Sequence, residues 1–302
     1  DRSVSRGLGD VYKRQVQATV IEPKLKVEGT GAIEYVQTWG VQGRSEVWVG
    51  EQSGKTQDRG EVVPATDCVV ACASVAPKGN KKYVALTFDE GPSGATKQIL
   101  QVLKEKGVTA TFFLSGDAVE ASPATAKAIV DAGCEIGSNS YSDDSLKGQD
   151  REAVREQITK GTDAVKSATG VKTMLLRAPY AAFDEQNWID AMDLVSAVVS
   201  WNIDSGDWLL NGADEQVSTV LDSVTPGNIV LLTDRDECAE QTLEALPQII
   251  DGLIADGYKI VTLSDLVKTD TSLSKKLTSL TKVTMPKDAV FPQLAEDDDT
   301  TE

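Results

Sequence analysis

Between Tyr83 and Lys268 the chain alternates short apolar runs with amphipathic helical patterns, and this alternation limits the fold more than any other feature. The spacing predicts strands at Tyr83–Phe88, Thr109–Leu114, Glu135–Ser138, Met174–Arg177, Ala197–Trp201, Ile229–Leu232 and Ile260–Leu263. Between them it predicts helices at Ala95–Lys106, Pro123–Ala132, Arg151–Ala168, Asp184–Leu194, Asp214–Val224 and Glu240–Ala255. Several of these stop at a glycine, as at Gly107, Gly133, Gly170 and Gly257. Repeated strand–helix units build an α/β protein with parallel strands, either a (β/α) barrel or a doubly wound sheet. The order of elements alone leaves both open.

Polar residues gather just after the predicted strands. The first strand runs into TFDEGP, where Asp89 and Glu90 precede the breakers Gly91 and Pro92. Asn139, Tyr141, Asp143 and Asp144 follow the third strand in GSNSYSDDS. Arg177, Pro179 and Tyr180 follow the fourth in LLRAPY, and Asp204, Asp207 and Trp208 follow the fifth in WNIDSGDW. Leu232, Thr233, Asp234 and Arg235 close the sixth in LLTDRD. In a barrel these turns share one face, where such folds carry their chemistry. Taken singly, Asp, Asn and Ser at such places also serve as helix caps and turn residues. Taken together, acids with a Trp and a Tyr in reach suggest a sugar-binding groove.

The chain has no histidine among its 302 residues. That removes the commonest general acid/base and the commonest transition-metal ligand. Hydrolysis here has to run on carboxylates, hydroxyls, Lys, Arg and backbone donors. The net charge of −17, from 47 acids and 30 bases, disfavours nucleic acid and anionic membranes as partners. No apolar stretch is long enough to span a bilayer.

Outside the alternating region the reading is coarser. Asp1–Gln15 lacks an initiator Met and any periodicity, and its RGLGDVYKRQ run resembles translated sequencing-adapter sequence. It is set aside as non-native. The expectation is that the true N-terminus, with a secretion signal, has been lost. Residues 16–76 read as a small β-rich module, in which Trp39 and Trp48 are packing residues, and 77–82 read as a linker. Residues 83–268 form the α/β unit, and 269–302 a polar, acidic tail ending AEDDDTTE. Cys68 and Cys72 are close enough for a local disulfide that spacing alone does not establish. Cys134 is expected to be buried. Cys238 opens the helix after the sixth strand, where a thiol pKa can be lowered, but no histidine stands beside it.

The order TFDEGP, GSNSYSDD, LRAPY, DSGDW, LLTD resembles the five motifs of the polysaccharide deacetylase family, the NodB-homology domain of chitin and peptidoglycan N-deacetylases. The resemblance covers roughly residues 82–268. It implies a distorted (β/α) barrel of about seven parallel strands and an N-acetylated polysaccharide as partner, peptidoglycan or chitin-like, met outside the cell or in its envelope.

The same resemblance assigns roles. Asp89 falls on the general base, Arg177 on the arginine that holds it, and Tyr180 on a backbone oxyanion-hole donor. Asp204, Asp207 and Trp208 match the motif that supports this arginine and walls the groove, with Tyr141, Leu232 and Thr233 as further substrate-facing positions. The three metal-ligand positions carry Glu90, Asn139 and Asp143, where the family has an Asp and two His. Thr233 stands where the family has the His that protonates the leaving amine. The resemblance therefore implies a degenerate site. Zinc on imidazole is excluded, and an all-oxygen set suits Ca²⁺, Mg²⁺ or Mn²⁺, or no metal at all. Two readings follow: a catalytically degenerate, glycan-binding deacetylase domain, or an active deacetylase with a rebuilt carboxylate metal site.

Overall fold

The computed structural model describes residues 77–79, 81–183, 187, 190–191, 194–195 and 197–269, together with the backbone of strands between 12 and 71 and at 282–284. The early strands are β1 (Tyr12–Val20), β2 (Lys24–Val27), β3 (Ile33–Val36), β4 (Thr38–Gly50), β5 (Thr56–Val63) and β6 (Thr66–Ala71). The β-branched and aromatic composition predicts strands here, and those present pair mainly antiparallel. The readings of Trp39, Trp48, Cys68 and Cys72 concern side chains outside the described residues. Of the stretch 1–15 expected to be non-native, residues 1–11 also lie outside the described residues, while 12–15 belong to β1 and pair with β4. Of the expected tail, Lys282–Thr284 form a short strand beside β3, and most of the rest lies outside.

The α/β unit begins with β7 (Tyr83–Asp89) and continues through β8 (Thr111–Leu114), β9 (Glu135–Ser138), β10 (Leu175–Leu176), β11 (Ala197–Val199), β12 (Ile203–Asp204), β13 (Ile229–Thr233) and β14 (Lys259–Ile260). Seven of these lie side by side in parallel, in the order β11-β10-β9-β8-β7-β13-β12. The sheet curls into a half-barrel. β14 adds to the start of β7 beside it. The helices are α1 (Thr96–Lys106), α2 (Gly116–Ala121), α3 (Pro123–Asp131), α4 (Arg151–Thr169), α5 (Ala213–Ser223), α6 (Ala239–Ala255) and α7 (Leu263–Thr269).

Strand alternation divides the core in two. Along β7, Val84, Leu86 and Phe88 face outward and pack with Ile99 and Leu103 of α1 and with Leu246 and Ile250 of α6. Phe88 stacks on Phe112 of β8 at 4.9 Å between centroids. Ala85 points the other way, into the barrel, with Phe113, Val199 and Ile229. Thr87 and Asp89 share that inward face and are buried. This parity sends Asp89 to the barrel's upper centre while its neighbour Glu90 sits on the rim.

Helix ends follow their sequence signals. Gly107 and Gly170 close α1 and α4 in the left-handed conformation, at φ 66° and 78°. Asp150 caps α4 by accepting the Ala153 N–H at 2.9 Å. At the lower end of the barrel the Glu135 carboxylate accepts the Thr111 hydroxyl (2.9 Å), the Ser264 N–H (3.0 Å) and the Ser264 hydroxyl. Those contacts tie β8, β9 and the start of α7 together.

Some boundaries move. The predicted strand at 260–263 ends at Ile260, because Leu263 already starts α7. The predicted Ala197–Trp201 strand stops at Val199, and the two-residue β12 follows. The predicted helix 184–194 falls largely outside the described residues.

Candidate functional site

Arg177 lies at the centre of the upper face and is fully buried. It follows β10, and every guanidinium nitrogen is used. Nη1 donates to Asp89 Oδ1 at 2.6 Å and to the Thr87 hydroxyl at 2.7 Å. Nε and Nη2 donate to the carbonyls of Val199 (3.2 Å) and Ser200 (3.1 Å). Its carbon lies 4.2 Å from the Phe113 ring centroid and 5.4 Å from that of Trp201. Burial pushes its pKa down, countered by Asp89 and Asp204. Desolvation raises the Asp89 carboxyl to about 6, against the pull of Arg177. At neutral pH Asp89 is thus a largely ionised carboxylate paired with a buried guanidinium. Asp204 acts on this pair by charge alone. Its carboxylate accepts the Gly206 N–H (2.9 Å) and the Trp208 indole N–H (3.2 Å).

On the rim, Glu90 is held at φ 74°, a costly conformation for a residue with a Cβ. Its N–H is fixed to the Phe113 carbonyl at 3.0 Å. Its carboxylate forms an ion pair with Arg235 Nε, while Arg235 Nη2 reaches Asp143 Oδ2 at 2.8 Å. Burial is the main cause of a Glu90 pKa raised to about 7. The Tyr180 hydroxyl also donates to Asp143 Oδ2, at 2.7 Å, and that bond raises the phenol to about 12. Tyr180 sits at φ 59° with its ring exposed. Asn139 is buried and donates its side-chain amide to the Arg177 carbonyl at 2.8 Å.

Asp207 is buried and points to the strand next door. It accepts the Thr233 N–H (2.7 Å), the Thr233 hydroxyl (2.8 Å) and the Thr242 hydroxyl (3.1 Å). Asp207 therefore serves Thr233 directly, and none of its hydrogen bonds reaches Arg177. Leu232 is buried in the outer core. Trp208, Leu209 and Leu210 are exposed beside the cleft. Tyr141 stands apart: its hydroxyl bonds Glu120 of α2 at 3.1 Å, and Lys160 of α4 lies 5.5 Å from its ring centroid. Cys134 is buried, with a raised pKa. Cys238 caps the N-terminus of α6, yet burial and then the Asp207 charge raise its thiol to about 11, so it stays protonated.

Glu90, Asn139 and Asp143 do not fit a metal as they stand. Two of the three share one guanidinium as their counter-charge, and the third spends its amide on a backbone carbonyl. Among the described residues no group of three or more His, Cys, Asp or Glu is arranged to hold an ion. The sequence places Arg235 among the polar residues after the sixth strand, but motif order assigns it no role. The signal was its place between two acids in TDRDE.

Comparison with known proteins places this cleft among relatives. A family model described as Polysaccharide deacetylase matches residues 76–195. A peptidoglycan-N-acetylglucosamine deacetylase from Bacillus cereus is 32% identical over 217 residues, covering 71% of this chain and 79% of that protein. One from Listeria monocytogenes is 33% identical, covering 70% of this chain and 44% of that protein. The chain thus spans less than half the length of some curated relatives. A solved peptidoglycan N-acetylglucosamine deacetylase superimposes with a TM-score of 0.61 at 31% identity, covering 66% of this chain and 92% of that one. A carbohydrate esterase family 4 pseudoenzyme from Bacillus anthracis superimposes with a TM-score of 0.62 at 25% identity, covering 82% and 90%.

Proposed function

The chain belongs to the polysaccharide deacetylase family, and on that premise we propose that its barrel is a glycan-binding domain that no longer cleaves the acetamide bond. The observation that carries this reading is Thr233. Its hydroxyl and N–H are both committed to Asp207, and a threonine hydroxyl cannot protonate a leaving amine near neutral pH. Loss of a general acid costs roughly 10²–10⁴-fold in rate. The positions assigned to metal ligands carry Glu90, Asn139 and Asp143, and their commitments within the protein support the same conclusion.

The ligand is an N-acetylated polysaccharide of the peptidoglycan or chitin type. Relatives named for deacetylating peptidoglycan and chitooligosaccharide support this class, and the exposed Tyr180 and Trp208 supply the aromatic faces a sugar ring stacks on. The bacterial cell-wall relatives support an envelope or extracellular location. No helix among the described residues is long and apolar enough to cross a membrane. The domain limits are those read above: a β-rich module over 16–76 before the barrel at 83–268.

One observation favours an active enzyme. The Asp89–Arg177 pair is complete, and a buried carboxylate at about 6 is a competent base. Calorimetric titration with a chitin tetramer and with peptidoglycan fragments, paired with an acetate-release assay, separates the two readings. Binding without acetate is expected. Turnover that disappears in Asp89→Asn would establish the active reading instead.

A further inference from the structure

We propose that Arg235 is the resident cation of this cleft: its guanidinium bridges Glu90 and Asp143 in the place of a divalent ion and offers its outward N–H groups to the acyl oxygen of an N-acetylated sugar. The exclusion of metal rests on geometry; the identity of the ligand rests on the glycan-binding reading above.

The two carboxylates come from different parts of the fold, one at the end of β7 and one in the loop after β9. A single guanidinium meets both: Nε lies in ion-pair contact with Glu90, and Nη2 donates to Asp143. A guanidinium suits this task because its donors are fixed in a plane at carboxylate spacing. Tyr180 adds a second donor to the same Asp143 oxygen.

Arg235 is not a loose surface side chain that happens to find acids. Both neighbours in sequence fasten its loop to the turn after β7. Asp234 donates its N–H to the Asp89 carbonyl at 2.9 Å, and its buried carboxylate accepts the Ser93 and Thr96 hydroxyls, each at 2.6 Å. Asp236 accepts the Gly94 N–H at 2.8 Å. With the residues on either side held, Arg235 is delivered over Glu90. Its side chain remains 46% exposed, so the charged head is open to a ligand.

A divalent ion entering here has to displace the guanidinium from both oxygens, or sit beside it and meet its charge. Removing the arginine reverses the balance. Glu90 and Asp143 then share one cleft without a counter-charge, Tyr180 still donating to Asp143, an arrangement that recruits a hard cation.

Mn²⁺ titration of the full chain, followed by electron paramagnetic resonance, tests this. The wild type is expected to show no site at submillimolar Mn²⁺. Arg235→Ala should gain one site, about 10-fold or more tighter, because ligand charge count sets affinity in such all-oxygen sites. The site should vanish again when Asp143→Asn is added. Arg235→Lys, which keeps the charge, should still exclude Mn²⁺. Mn²⁺ binding by the wild type, or by Arg235→Lys, overturns the proposal. So does a folded Arg235→Ala protein that gains no site.

The ligand half is read separately. Calorimetry with a chitin tetramer should give the same affinity with and without chelator in the wild type, and weaker binding in Arg235→Lys, which lacks the fork. Chelator-sensitive binding, or full binding by Arg235→Lys, overturns that half. An absence of tetramer binding by the wild type overturns the glycan reading and the ligand half with it, while the Mn²⁺ experiment still decides the other.

Discussion

Thr233 gives both its N–H and its hydroxyl to the Asp207 carboxylate, at 2.7 and 2.8 Å, across neighbouring strand ends. The pair makes Thr233 a structural partner in a place the family resemblance assigns to an acid. Thr233→Val should leave the buried Asp207 one donor short. A loss of about 1–3 kcal/mol is expected for an unsatisfied buried acceptor, with acetate release and glycan affinity unchanged. Chemical denaturation checks the first, and the calorimetric and acetate assays the second.

One buried cation, Arg177, donates to Asp89, Thr87 and two backbone carbonyls. Arg177→Met should cost about 3–5 kcal/mol, because it strands a buried carboxylate without its partner. Asp89→Asn should cost less, since the amide still accepts from the guanidinium. A reversed order in denaturation midpoints would mean that Asp89 is held mainly by something other than Arg177.

Stability should fall as pH rises through the weakly acidic range. Glu90 titrates near 7 in the folded chain against an ordinary 4.5, and Asp89 near 6 against 3.8. Burial raises Asp207 and Asp234 in the same direction. The folded state therefore holds more protons than the unfolded chain between about pH 4 and 7, so unfolding free energy decreases as pH climbs across that window. The net charge of −17 acts with the same sign. Melting temperatures measured from pH 7.5 down to 5 should rise, and Glu90→Gln should flatten the slope.

Gly91 is boxed in by Asp234: a Cβ there would lie 2.2 Å from Oδ2. Gly91→Ala should push the Asp234 carboxylate off Ser93 and Thr96 and cost about 1–3 kcal/mol. It should also loosen Arg235, which is readable as partial Mn²⁺ uptake in the same resonance experiment.

Replacing Glu90, Asn139, Asp143 and Thr233 by Asp, His, His and His tests the scaffold itself. The expected result is zinc uptake and acetate release from chitin oligomers, provided Arg235 is also replaced by Ala. With Arg235 left in place, metal uptake should be weaker. Continued inertness of the fivefold variant would mean that the groove, and not only its chemistry, has changed.

The parallel strands were legible because each is a concentrated apolar run with turn residues after it. β12 was not, since Ile203–Asp204 is two residues inside a polar stretch and forms only because β13 offers it an edge. α2 was also missed: six residues after a strand leave no room for a periodic pattern. Motif order located Asp89, Arg177, Glu90 and Asp143 near one another, but it did not say what joins them. Arg235 stands among the polar residues after the sixth strand with no role assigned by the motifs. Its role depends on Asp234 and Asp236 anchoring to residues some 140 positions away in sequence, which no local signal reveals. The resemblance puts Tyr141 on a substrate-facing position, yet the chain turns at Ser140, φ 64°, and Tyr141 meets α2 and α4 instead.

Glu135 fastens the bottom of the barrel through Thr111 and Ser264, at the opposite strand ends from Asp89 and Arg235. A molecule closed at its base in this way is free to vary at its mouth. The bonds that hold the base share no residue with the rim around Asp89 and Arg235.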